Sequence, residues 1–114
     1  MLAPGPAALL RIYTEEGELD NGRPVHEAVV LKARELGLAG ATVLRGPMGF
    51  GPSAVIHTAK ILDLSAKLPL VIEIVDAEDK LRALLAALEP MSGLGLVTLE
   101  KVEVVRAAAK PASD

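Results

Sequence analysis

The stretch Leu68 to Asp76, LPLVIEIVD, is apolar at Leu70, Val71, Ile72, Ile74 and Val75 and has Glu73 as its lone interior charge. It reads as a strand with aliphatic side chains on both faces, and such a strand needs cover above and below. Asp76 stands where it would cap the next helix, and Glu78 and Asp79 fall in the first turn, where negative charge suits the helix dipole. Leu81, Leu84, Leu85 and Leu88 then recur at helical spacing until Pro90 and Gly93 stop the pattern. A last strand is expected within Leu96 to Arg106, where Val102 and Val104 flank Glu103.

Upstream of the quoted stretch lies a long loop, and before it Ala41 to Leu44 reads as a short strand. Pro24 suits the first turn of a helix and Gly37 the left-handed position just past its end, so a helix is expected from about Pro24 to Leu36. Val25, Val29, Ala33 and Leu36 form its apolar stripe, with Val30 and Leu31 outside it as a second apolar surface. Ala8 to Thr14 is a first strand entering an acidic loop of Glu15, Glu16, Gly17, Glu18 and Asp20, whose carboxylates are expected to be hydrated.

The order is strand, helix, strand, long loop, strand, helix, strand. It predicts an α+β fold, a ferredoxin-like βαββαβ sandwich with an antiparallel sheet and two helices on one face. The expected organisation is a single domain over residues 1–114, with a core at about 8–106, an arm-like loop at about 45–67 and a loose tail at 107–114. The uncovered sheet face calls for association of identical chains.

Composition narrows the function. A chain of 114 residues buries roughly two thirds of the surface its unfolded form exposes, enough for one core. That core must be aliphatic, since Tyr13 and Phe50 are the only aromatic residues. The absence of cysteine excludes a disulfide scaffold and a thiolate metal site. A net charge of -3 leaves no basic footprint for nucleic acid. Met1 to Leu10 has no leading basic residue and is broken by Pro4, Gly5 and Pro6, unlike a secretion signal. No apolar run approaches the ~20 residues that span a bilayer. The expectation is a soluble cytoplasmic protein.

Arg45 to Ser53, RGPMGFGPS, is the candidate site. Between Gly37 and Leu62 there is no acidic residue, while Arg45, His57 and Lys60 are all present, a bias that would attract an anion. Gly46, Gly49 and Gly51 would let backbone N–H groups approach phosphate oxygens, with Arg45 adding a forked contact. The competing reading is that these glycines and prolines only shape a turn. Phe50 is either an exposed anchor or an ordinary loop residue packed on its own subunit. His57 suggests a metal or proton-transfer role, with His26 as a second ligand if subunits bring the two together; a structural histidine is the plainer alternative. Ser53 and Thr58 are candidate modification or contact positions. Enzyme signatures are missing: there is no cysteine nucleophile, no Gly-x-Ser-x-Gly, no HExxH and no Walker lysine.

Gly37-Leu38-Ala39-Gly40-Ala41-Thr42-Val43, Gly49-Phe50-Gly51 and Leu68 to Asp76 resemble, in order and spacing, segments of the PII signal-transduction proteins. With Ile56-His57-Thr58 and Leu68-Pro69 added, the chain more closely resembles the small PII-like branch known as domain-of-unknown-function family 190, over about Leu9 to Arg106. The resemblance implies a cytoplasmic homotrimer whose sheets close around a threefold axis. It implies adenine nucleotide or another anionic effector in the clefts between subunits, and a partner protein, such as a transporter or enzyme, engaged by the arm at 45–67. A trimeric divalent-metal-binding protein resembling the cation-tolerance proteins is the alternative. Two departures stand out. Met91 to Leu96 keeps the glycines of the PII phosphate loop but none of its charge, and the arm has no tyrosine to modify.

Overall fold

The computed structural model describes residues 2–59 and 67–109. In chain order the elements are β1 (Gly5–Glu15), β2 (Leu19–Asp20), β3 (Arg23–Pro24), α1 (Val25–Glu35), β4 (Thr42–Arg45), β5 (Met48–Gly49), β6 (His57–Thr58), β7 (Pro69–Asp76), α2 (Glu78–Leu88) and β8 (Val97–Val104). One sheet has the order β4-β7-β1-β8 with every neighbour antiparallel. This is the ferredoxin-like arrangement that the element order implies, with β1 and β7 in the middle.

Alternation along the central strands separates two faces. Ala8, Leu10 and Ile12 of β1 and Leu70, Ile72 and Ile74 of β7 are buried beneath the helices. They meet Val25, Val29 and Ala33 of α1 and Leu81, Leu84 and Leu88 of α2. All these side chains are aliphatic, so the core contains no aromatic ring. Tyr13 and Phe50 both remain exposed.

Helix α1 ends as Gly37 suggests. Leu38 N–H donates to Ala33 O and Gly37 N–H to Arg34 O, with Gly37 at φ +78°, which is the paired bonding of a Schellman cap. Leu36 is therefore the C-cap residue and is exposed, not the last member of the buried stripe. The expected cap at Asp76 is also corrected. Ala77 is the N-cap residue of α2 and no side chain caps it. Asp76 is buried instead, with Oδ1 accepting from Ala77 N–H at 2.7 Å and Oδ2 from Ala39 N–H at 2.8 Å. Its carboxylate fastens the α1–β4 connection to the end of β7.

The opposite sheet face carries Leu9, Arg11 and Tyr13 of β1, Val71, Glu73 and Val75 of β7, Leu44 of β4 and Glu100 and Val102 of β8, as the strand registers require. Arg11 sits at its centre, 2.9 Å from Glu73 and 2.8 Å from Glu100. Glu73 thus joins Arg11 and Glu100 on a face where Leu9, Val71, Val75 and Val102 supply aliphatic surface and Tyr13 an aromatic ring.

Candidate functional site

The site is assembled where β1 ends. Beyond Glu15 the chain enters the β2–β3 hairpin, which turns at Asn21 (φ 50°) and Gly22 (φ 77°). Asn-Gly is a strong signal for such a two-residue turn. The hairpin folds the acidic segment back onto the body. Asp20 Oδ1 accepts from Ser92 N–H at 3.2 Å, and Glu16 Oε1 accepts from Leu68 N–H at 3.0 Å. These carboxylates are therefore tied in place, contrary to the expectation that they are merely hydrated. The Leu68 N–H, and then the Arg45 guanidinium, hold the Glu16 carboxyl below the ordinary carboxylate range.

Two stretches face each other above this point. Met91 to Leu96 runs along the end of β1, where Gly95 N–H donates to Tyr13 O at 2.7 Å and Tyr13 N–H to Leu96 O at 2.8 Å. A Cβ on Gly95 would lie 2.7 Å from Tyr13 O, and one on Gly93 would lie 2.7 Å from a Val25 methyl. The glycines of this stretch are thus required by close packing. The other wall is the arm, whose strands β5 and β6 pair Met48 with Thr58 and Gly49 with His57. Between them lies an open cleft of about 770 Å³, lined from the arm by Gly49, Phe50, Gly51, Pro52, Ser53 and His57. Its body side comes from β1, Glu18, Pro69 and the Gly93 to Leu96 stretch.

The structure thus brings five candidate residues, Gly49, Phe50, Gly51, Ser53 and His57, to one cleft. Arg45, Gly46 and Thr58 do not line it. Arg45 turns to Glu16, with Nη1 3.0 Å from Oε2. Gly46 N–H is engaged by Pro69 O at 2.9 Å, and a Cβ on either Gly46 or Gly49 would press on the Pro69 ring at 3.1 Å. Both glycines thus let the loop pack closely on Pro69. Lys60 lies outside the described residues.

The charge of the cleft differs from that of the loop. The sequence between Gly37 and Leu62 has no acid, yet Glu15 and Glu18 enter from β1 and the acidic hairpin, and no lysine or arginine lines the cleft among the described residues. His57 Nε2 lies 3.5 Å from Glu15 Oε2. His26, on α1, is near Glu16 instead. Among the described residues no group of three or more His, Asp or Glu side chains is placed to hold a metal ion. A second hollow, beside Gly37 to Thr42 and Ala107 to Ala109, is lined by none of the candidate residues. The cleft residues that sequence reasoning missed are Glu15, at the end of β1, and Glu18, which the Asn21-Gly22 turn signal could have folded back onto the site.

The fold is a four-stranded antiparallel ferredoxin-like sheet whose connection between β4 and β7 forms an arm over a glycine-walled cleft. It is similar to the structure of CPII from Thiomonas intermedia K12, described as bound to ADP and bicarbonate, with a TM-score of 0.63 over 93% of this chain and 95% of that one at 22% identity. The chain belongs to the DUF190 family, described as "Uncharacterized ACR, COG1993", whose model matches residues 7–104. A UPF0166 protein of Aquifex aeolicus is 41% identical over 97 residues, 85% of this chain and 91% of its own. The UPF0166 protein MJ1524 of Methanocaldococcus jannaschii is 32% identical over 101 residues, 88% of this chain and 93% of its own. Among the described residues no helix is long and apolar enough to cross a membrane.

Proposed function

We propose that this chain is a PII-like regulatory protein of the cytoplasm that acts by binding rather than by catalysis. Three copies close their uncovered sheet faces around an axis, and a nucleotide or similar small anionic effector enters the cleft beneath the arm. Occupancy changes the arm, and the arm engages a partner protein. The observation that carries this reading is the cleft itself, since one wall is the arm and the other is the body, so a molecule bound between them touches both. Differential contact of that kind is what a ligand-driven switch requires.

The lining suits the uncharged part of a nucleotide. Phe50 is 71% exposed and offers a face on which a base can stack, and Glu15 and Glu18 can accept from sugar hydroxyl or amino groups. Phosphate must then be met by backbone N–H groups near Gly51 and by cationic side chains that a neighbouring subunit brings. Met48, Phe50, Val55 and Ile56 are all exposed on the arm and form the apolar surface for the partner. CPII is the reason to test ADP and bicarbonate first.

A thermal-shift series with ADP, ATP, AMP, adenosine, bicarbonate, 2-oxoglutarate, Mg²⁺ and Zn²⁺ tests the proposal. A true ligand raises Tm with the logarithm of its excess over Kd. Adenine nucleotides should give the largest shift, and Phe50→Ala should reduce it. A shift with Zn²⁺ but with no nucleotide would favour the metal-binding alternative, centred on His57 and Glu15 and completed by a second subunit.

A further inference from the structure

We infer that Glu15 and Glu16 form a two-sided clasp that sets the position of the arm. Successive side chains at the end of a strand point to opposite sides. Here the two neighbours reach different limbs of one loop. Glu16 Oε2 accepts from Arg45 at the start of the arm (3.0 Å), while its Oε1 accepts from Leu68 N–H where the chain rejoins the sheet (3.0 Å). A single carboxylate thereby spans both ends of the connection between β4 and β7. Glu15 reaches the hairpin, with its Oε2 3.5 Å from Nε2 of His57 on β6.

The two halves differ in strength. Around Glu16 the backbone is also fastened, with Glu16 N–H donating to Leu68 O and Gly46 N–H to Pro69 O, both at 2.9 Å. Its carboxylate oxygens are both engaged, and His26 of α1 adds a nearby imidazole. This half is the fixed anchor. Among the described residues the Glu15 half is one long contact to the arm with no backbone hydrogen bond beside it, and it lies in the cleft wall. It is the releasable half, open to competition from any hydrogen-bond donor that enters the cleft. The β5–β6 pairing is internal to the arm and is closed by Ala59 N–H donating to Pro47 O at 2.8 Å, so the hairpin can tilt without unravelling. The clasp does not depend on which ligand the cleft takes.

The chain contains no cysteine, so a single Val55→Cys on the exposed arm can be spin-labelled uniquely. In that background Glu15→Gln should increase the mobile component of the label about twofold on the nanosecond scale. It should leave Leu68 amide exchange unchanged. Glu16→Ala should mobilise the label further and speed exchange of the Leu68 amide about tenfold, as loss of one good hydrogen bond predicts. Glu16→Gln keeps an acceptor for Leu68 and should hold that exchange within about threefold of the parent while releasing Arg45. Arg45→Ala removes the same ion pair from the arm side and should mobilise the label even if a Glu16 variant folds poorly. Unchanged label mobility in both Glu15→Gln and Arg45→Ala would overturn the inference. So would a rise in Leu68 exchange in Glu16→Gln equal to that in Glu16→Ala, since it would mean general loosening in place of a clasp.

Discussion

The two faces of the sheet are built from the same strands and answer to different forces. Toward the helices, Leu10, Ile12, Ile72 and Ile74 are at most 1% exposed and every buried member of their cluster is aliphatic. On the other face, Leu9, Val71 and Val75 are only half-buried, and Arg11, Glu73 and Glu100 form an ion triad among them. One face is finished within a single chain. The other is left uncovered within this chain, and in the proposed assembly its charges would limit which neighbour fits.

Truncation on the finished face should have the largest effect. Ile72→Ala removes a fully buried side chain from the central strand and should cost about 2–5 kcal/mol, the usual range for such a cavity. Denaturant unfolding would show it as a lower midpoint. A loss below about 1 kcal/mol would mean that the helix face collapses around the gap.

Asp76 tests the rim of the same face. Asp76→Ala leaves the N–H groups of Ala39 and Ala77 without their acceptor and should cost about 1–3 kcal/mol. Asp76→Asn keeps one acceptor oxygen and should cost less. Equal losses in the two variants would show that charge, and not hydrogen bonding, is what this carboxylate contributes.

Arg11 separates the faces. The triad leaves two carboxylates on one guanidinium, so Arg11→Met uncovers a pair of like charges. On a wet surface this should barely alter unfolding, because exposed ion pairs contribute little. Where three copies press the face together, the unpaired carboxylates are desolvated and the assembly dissociation constant should rise on the order of a hundredfold or more. Sedimentation of the parent and of Arg11→Met over a dilution series reads this directly. A parent that sediments as a stable monomer removes the proposed assembly.

What the sequence made legible follows this division. The helix face was readable because its signals are periodic and local: the alternation through Ile72 and Ile74, the leucine spacing from Leu81 to Leu88, and the glycine stop at Gly37. Leu36 and Asp76 were misplaced by a single step each, at helix ends where the cap geometry decides. The cleft was only half readable. Gly49 to Gly51, Ser53 and His57 announce a loop site by composition, whereas Glu15 and Glu18 line it from the end of β1 and the turn that follows, segments distant from the arm in sequence. Local charge along 37–62 therefore does not by itself describe the cleft, where Glu15 and Glu18 join the lining, since electrostatics follows spatial neighbours and not sequence neighbours.

The smallest expected effect concerns pH at the arm's base. The Leu68 N–H and the Arg45 guanidinium favour ionised Glu16, so its folded pKa lies below the unfolded value, about 4.3 for a free glutamate. A depressed carboxylate pKa stabilises the folded state fully above the unfolded value, and that stabilisation disappears as pH falls through the folded value. Between pH 7 and 5 the parent and Glu16→Gln should therefore keep a constant difference in Tm, which should shrink below about pH 4.3 as the parent's carboxylate becomes neutral. Because Glu16 is partly exposed, screening keeps the difference small, and added salt should shrink it further at neutral pH. A difference that instead widens on acidification would place the acid-sensitive group elsewhere, with the Arg11 triad on the open face as the next carboxylate cluster to substitute. The same titration followed through a label on the arm should show mobility rising over the window in which the Tm difference closes, because one carboxylate holds both limbs.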